Sequence, residues 1–328
     1  HLINELKLPV GREAEVVVLG GTALAMNWQS PERELGETTE EVATLDYSIA
    51  NIPVLKDHVL QGKAVLPVAM IIEDLCQNSR IAEDEVITGI QYFQVLKGIR
   101  LSASEQLRVS IYQGKAQQRG GEKIYPIELS SWQNGRKTLN YRAEIKSAKQ
   151  LRRDSSQLAC ERDLYTKSAS EIYSRKLLFH GEAFQGINKV LGCSSLGISG
   201  IVSRAPAPKE WLKTATTTNW SWDPLMIDSA FQLLVLWGDQ NQGYPNLPTA
   251  FKSFERYQHA ESIGPVEVRL RLTQERAQGL KADIEFIDSQ GEIIARMVGY
   301  EAIADKVLEQ SFKENRLQGT SADVGSRA

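Results

Sequence analysis

The chain is poor in the residues that build metal centres and disulfide scaffolds. Its 328 residues include only three cysteines, Cys76, Cys160 and Cys193, widely separated and without a CxxC. An odd, scattered set argues against a disulfide framework and a structural zinc site, and fits a reducing, cytoplasmic setting. There are four histidines, His1, His58, His180 and His259, and neither HExxH nor HxH occurs, so no metal site is expected. GxGxxG is also missing, and the Gly20-Gly21 pair after the apolar segment Glu15–Leu19 is too weak to be a nucleotide loop. No apolar run approaches the ~20 residues needed to span a bilayer. No charged segment followed by an apolar core and cleavage site reads as a secretory signal. With 38 Lys+Arg against 41 Asp+Glu, a net charge of −3, the chain lacks the basic footprint of a nucleic-acid binder.

What is present is ordinary globular material: 42% apolar and 24% charged residues, with a mean hydropathy of −0.30. The length suits two domains or one large β-rich one. The start at His1 rather than Met reads as a piece of a longer protein. Residues 1–40, ending in the acidic linker-like stretch Ser30–Glu41, are expected to belong to an upstream segment. Residues 306–328 read as an exit linker or frayed terminus.

From about Val42 the pattern is strand-like. Leu45, Tyr47 and Ile49 alternate with polar residues, as do Leu107, Val109 and Ile111, and Leu139, Tyr141, Ala143 and Ile145. Val266–Leu272 alternates strictly, and Ala282, Ile284 and Phe286 lead to the turn Asp288–Gly291. Alternation broken by turn residues predicts antiparallel sheet with one face in a core. Two apolar segments interrupt it as helices. Pro67–Cys76 starts with proline at the first helical position, and Asp223–Trp237 has a capping Asp, then proline, and ends at Gly238. A helix apolar on every side must be buried. Each helix sits in its own run of strands, which predicts an internal duplication: two curved sheets, each around one central helix.

Four segments bear on chemistry. In Asp57–Pro67, His58 precedes the helix by way of Gly62, so its imidazole is expected near a helix N-terminus, where free N–H groups and the dipole can polarise a carbonyl. A satisfied structural histidine is the competing reading. Asp228 and Gln232 share one face of the second helix. Burial there is expected to raise the pKa of Asp228, as suits a general acid, with Gln232 orienting it. A buried Asp bonded to backbone is the alternative. Leu178–Ile187, with His180, Gly181 and Phe184, and Leu247–Lys252, with Pro248 and Phe251, read on composition alone as packing rather than function.

Taken together, the four segments resemble the dehydratase domains of polyketide synthases and bacterial polyunsaturated fatty acid synthases. HxxxGxxxxP is met by His58, Gly62 and Pro67, and DxxxQ by Asp228 and Gln232. YGPxF is met in part by His180-Gly181-Glu182-Ala183-Phe184, and an LPFxW-like motif by Leu247-Pro248-Thr249-Ala250-Phe251. The order is the family's, across roughly Val42 to Asp305, and Pro67-Val68 is closer to the polyunsaturated type. The resemblance implies an α+β double hot-dog fold, with one unit over 41–165 and a second over 166–305. It implies loss of water from a (3R)-hydroxyacyl chain on acyl carrier protein to give a trans-2-enoyl thioester. His58 would take the C2 proton, and protonated Asp228 would serve the leaving hydroxyl. Gln232, Gly62, Pro67 and Gly181 would orient groups or form the oxyanion site, while His180, Phe184, Leu247, Pro248 and Phe251 would line the tunnel. No metal or bound cofactor is implied, since the substrate arrives on the carrier's phosphopantetheine. Implied partners are that carrier, neighbouring synthase domains with a ketoreductase upstream, and a possible second copy of the domain.

The departures fall at His180 and Glu182, which stand where the family has Tyr and Pro, and at Phe251 in place of Trp. His180 could take over a hydrogen bond to Asp228. Two other readings use the same fold: an inactive scaffold or docking module, and a product-template-like cyclase. Arg152, Arg153 and Lys209 could meet an acidic carrier, but read first as plain solvated surface.

Overall fold

A computed structural model describes residues 36–174, 177–257, 264–276 and 279–318. The apolar segment Glu15–Leu19, read as a short strand, and the first half of the acidic stretch, 30–35, lie outside the described residues.

The alternating segments form a twelve-stranded antiparallel sheet. Its first half runs, in spatial order, Glu40–Tyr47, Leu107–Gln113, Glu122–Gln133, Arg136–Ala148 and Val86–Val95. The second half continues Asn246–Arg256, Ile293–Ala304, Gly279–Ile287, Val266–Arg276, Gly197–Val202 and Ile187–Cys193, and the twelfth strand, Gln117–Arg119, pairs only with Glu122–Gln133. The halves join where Phe251 pairs with Phe93 and Phe254 with Ile90, and the Phe93 and Phe251 rings stack at 4.9 Å. Every predicted alternating segment lies in a strand. Ile49 is the exception, falling in the turn after Tyr47.

Each half carries one central helix. Val68–Gln77 buries Ala69, Met70, Ile71, Ile72, Leu75 and Cys76. In Pro224–Asn241 every residue from Pro224 to Gly238 is buried. Each Leu, Ile or Phe so placed contributes roughly 1.5–3 kcal/mol, enough for this helix to tolerate a carboxyl and an amide in its interior. A double hot-dog fold results, and the two helices touch. Glu73 of the first accepts the Ser221 and Trp222 N–H groups at 2.9 and 2.6 Å, just before the second begins.

The helix ends differ from expectation in two places. Pro67 is the N-cap, in extended geometry, and Val68 is the first helical residue. The second helix is capped by Asp223, which accepts from Met226 N–H, but it passes Gly238 and ends at Asn241. A Cβ on Gly238 would stand 2.9 Å from both the Asn246 side chain and the Tyr244 carbonyl. That glycine admits a close neighbour rather than stopping the helix.

Residues 306–318 are more ordered than a linker. Val307–Lys313 is a short helix with Leu308 and Phe312 buried, and Phe312 lies edge-on to Phe179 at 4.8 Å.

Candidate active site

The spacing from His58 to Pro67 is the geometry of a hairpin feeding a helix. Val59–Leu60 pairs with Lys63–Val65 across the two-residue turn Gln61-Gly62, whose φ values are +51° and +72°. Two successive positive φ values are the type I′ pattern that suits tight hairpins, and glycine meets it without strain. The turn sets His58 opposite Val65. The Val65 N–H donates to the His58 carbonyl at 2.9 Å, and His58 Nδ1–H donates to the Val65 carbonyl at 2.7 Å. A carbonyl only accepts, so the proton of the neutral ring sits on Nδ1 and the lone pair on Nε2. Two residues later Pro67 caps the helix.

Nε2 of His58 faces Asp228 Oδ1 at 3.9 Å, beyond hydrogen-bond length. The other carboxylate oxygen is held. Gln232, one turn along the helix, donates from Nε2 to Asp228 Oδ2 at 2.8 Å, and His180 Nε2 lies 3.2 Å from the same oxygen. All four side chains are buried. Gln232 also donates to the Phe184 carbonyl and accepts from the Tyr173 hydroxyl, each at 2.8 Å.

His180 is brought in by backbone. It forms an antiparallel bridge with His58, and Gly181 N–H donates to the Asp57 carbonyl at 2.7 Å. A Cβ on Gly181 would meet the Asp57 side chain at 2.8 Å, so glycine permits this approach. Phe179 stacks on His180 at 4.0 Å and meets His58 edge-on at 4.8 Å, while Phe184 stands 5.2 Å from His58.

Burial pushes the His58 pKa down to about 4, against the opposing pull of Asp228, so its imidazole is neutral near pH 7. At Asp228 burial acts upward, as expected from the sequence, but the net direction is the reverse. His180, then His58 and Gln232, hold the carboxyl below its ordinary value. Sequence reading captured the burial and named Gln232 and His180 as partners, but did not weigh them against it.

Not all predicted residues converge. His58, His180, Gly181, Phe184, Asp228 and Gln232 form one cluster. The Gly62 N–H is already given to the Glu314 carbonyl at 3.1 Å, and Gly181 N–H to Asp57, while Pro67 has none to give. Phe251 packs on Phe93 and Phe254 at the seam of the sheet, in the strand that also holds Leu247 and Pro248. Arg152 is paired with Glu255 at 2.9 Å. The sequence reading missed Tyr173, on the short helix Ala169–Ser174, and Phe179.

Among the described residues, His58, His180 and Asp228 form a group whose ligand atoms all lie within 4.8 Å of one another, close enough to hold a cation. Metal-bound histidines ordinarily donate their second ring N–H to a partner. His58 does, but Nδ1 of His180 is buried with no partner.

The site is thus a neutral imidazole from one half of a hot-dog pair facing a buried carboxyl from the other. The family described as polyketide synthase dehydratase N-terminal domain matches residues 148–305, a stretch that includes Asp228 and leaves out His58. A polyunsaturated fatty acid synthase polypeptide of a Thraustochytrium species is 25% identical over 286 residues, covering 84% of this chain. The chain spans about a tenth of that relative's length, 10%. The dehydratase domain from the CurF module of curacin polyketide synthase superposes with a TM-score of 0.64 at 19% identity, covering 83% of this chain and 98% of that one. The dehydratase domain of a mycocerosic acid synthase-like polyketide synthase gives 0.60 at 15%, covering 82% and 91%. The chain is thus similar to the dehydratase domains of polyketide synthases and to a polyunsaturated fatty acid synthase. Among the described residues no helix is long and apolar enough to cross a membrane.

Proposed function

We propose that the domain removes water from a 3-hydroxyacyl chain, held as a thioester on the phosphopantetheine of an acyl carrier protein, to give the trans-2-enoyl thioester. The observation that carries this reading is the pair itself: the free Nε2 of a neutral imidazole 3.9 Å from Oδ1 of a buried carboxyl. The thioester carbonyl acidifies the C2 hydrogens, and His58, kept neutral by burial, is the base that takes one. Asp228, in its protonated form, serves the departing C3 hydroxyl with a proton through Oδ1. The partners that hold its pKa low make that form the minor one near pH 7, so the reacting enzyme is the fraction that carries the proton. One proton enters the pair and one leaves, so the pair ends the step with the charge it began with, and the two groups titrate as a unit. Base and acid lie side by side, which suits a syn elimination across adjacent carbons.

The carbonyl must be polarised as negative charge builds on it. With the Gly62 and Gly181 N–H groups engaged, this task falls to the start of the helix Val68–Gln77. There Met70 and Ile71 make the first bonds, to the Pro67 carbonyl, leaving the Val68 and Ala69 N–H groups ahead of them at the positive end of the dipole. Loss of water is redox-neutral. A ketoreductase would supply the 3-hydroxyl, and the carrier protein would present the chain. The test is absorbance of the conjugated enoyl thioester after incubating the domain with 3-hydroxyacyl pantetheine thioesters of several lengths. Enoyl product supports the reading, and none at any length refutes it.

A further inference from the structure

Asp228 carries two chemically distinct oxygens. Oδ1 faces His58 at 3.9 Å, whereas Oδ2 receives Gln232 at 2.8 Å and stands 3.2 Å from His180 Nε2. What His180 does there turns on where its proton sits. Its other nitrogen, Nδ1, is buried and has no partner. With the proton on Nε2, the ring donates to Oδ2 and leaves an acceptor unmet. With the proton on Nδ1, a buried N–H is orphaned and the Nε2 lone pair confronts an oxygen already receiving a hydrogen bond. A doubly protonated ring orphans that same N–H and buries its charge as well. Orphaned buried donors are much rarer in proteins than under-satisfied acceptors, so the neutral Nε2–H form is selected.

We propose that His180 is a positioning residue, a neutral N–H donor that, together with Gln232, reserves Oδ2 of Asp228 as an acceptor and leaves Oδ1 as the oxygen that carries the proton to substrate. The two histidines then hold opposite tautomers. His58 is protonated on Nδ1, against Val65, and bares Nε2 as the base. His180 is protonated on Nε2, against Asp228. The ring of His180 is fixed for this by Phe179 stacked on it and by the backbone bridge to His58. The inference rests on the dehydratase reading for what the proton does, but the tautomers stand apart from it. It also explains how a histidine can replace the family's tyrosine: both can present one donor.

Two measurements test it. With only four histidines in the chain, long-range proton–nitrogen correlation on the 15N-labelled domain at neutral pH resolves each ring, with His180→Gln providing the assignment. The expected pattern is His58 protonated on Nδ1 and His180 on Nε2. His180 protonated on Nδ1, or on both nitrogens, overturns the proposal. The second measurement is the pH profile of kcat for His180→Phe and His180→Gln on a 3-hydroxyacyl pantetheine thioester. The ionisable side chains facing Asp228 are His58, His180, Tyr173 and Tyr300. Losing the donor raises the proton affinity of the carboxyl, so His180→Phe moves the alkaline limb to higher pH and lowers kcat about 10- to 100-fold, as for one hydrogen bond to a charged group. His180→Gln, which keeps an N–H, recovers part of both. An active wild type whose profile and rate are unchanged in folded His180→Phe also overturns it. A folded wild type that forms no enoyl product refutes the functional reading instead, and the correlation spectrum alone then judges the tautomers.

Discussion

His58 and Val65 hold each other twice. The Val65 N–H reaches the His58 carbonyl at 2.9 Å, and the His58 ring N–H reaches the Val65 carbonyl at 2.7 Å. One residue therefore fixes both the backbone position of the histidine and which of its nitrogens is basic. Only the turn between them, Gln61-Gly62, sets that pairing.

Gly62→Ala tests the dependence on the turn. The φ of +72° strains any L side chain there, and the new Cβ would come within 2.5 Å of the Gln318 side chain, which can move aside. Urea denaturation should show a loss of about 1–2 kcal/mol, from backbone strain. Activity should fall further than that loss of folded population explains, because the His58–Val65 register is disturbed.

Tyr173→Phe probes the support behind the acid. The tyrosine hydroxyl donates to Gln232 Oε1 at 2.8 Å and so turns the amide nitrogen toward Asp228, while accepting from Ile187 N–H at 3.0 Å. Its removal should lower stability by about 0.5–1.5 kcal/mol in thermal or urea unfolding. It should reduce kcat several-fold with little change in KM. Gln232→Leu, which takes away the donor itself, should lower kcat more.

Glu73 makes stability depend on pH. Burial raises its pKa to about 7, against the hydrogen bonds from Ser221 and Trp222. The folded state therefore holds this proton more tightly than the unfolded chain, whose carboxyl titrates near 4.5. Its contribution is most favourable below about 4.5 and declines as pH rises to about 7. His58 runs the other way. Its folded value of about 4 lies below its ordinary 6.5, so its contribution is full above 6.5 and is lost as pH falls through 4. In Glu73→Gln the declining component disappears, so the variant should be more destabilised relative to wild type at about pH 5 than at about pH 8. Equal destabilisation at both would count against a perturbed Glu73.

Legibility in the sequence followed the range of the contacts. The hairpin and helix start fix His58, Gly62 and Pro67 within ten positions, and one helical turn relates Asp228 to Gln232, so local spacing revealed both sets. The alternating strands and the two largely apolar helices likewise announced the paired hot-dog units. His180 entered only through the family resemblance, because its bridge to His58 and its contact with Asp228 join distant segments. Tyr173 left no signal, since one tyrosine on a six-residue helix has no periodicity to betray a contact with Gln232. The pKa direction of Asp228 was misjudged because apolar neighbours in sequence reveal burial, whereas the two histidines that act against it come from elsewhere in the chain. Gly238 misled as a stop signal because it serves close packing against Asn246.

The central claim, that His58 and Asp228 together expel water, is tested most directly by mass spectrometry of a 3-hydroxyacyl-carrier protein before and after incubation with the domain. The account predicts loss of one water with wild type. His58→Ala and Asp228→Asn should each reduce that loss about 1,000-fold or more, in the range for removing a principal acid or base, while remaining folded by circular dichroism. Retained dehydration in either folded variant, or no loss of water by the wild type at any chain length, would contradict it.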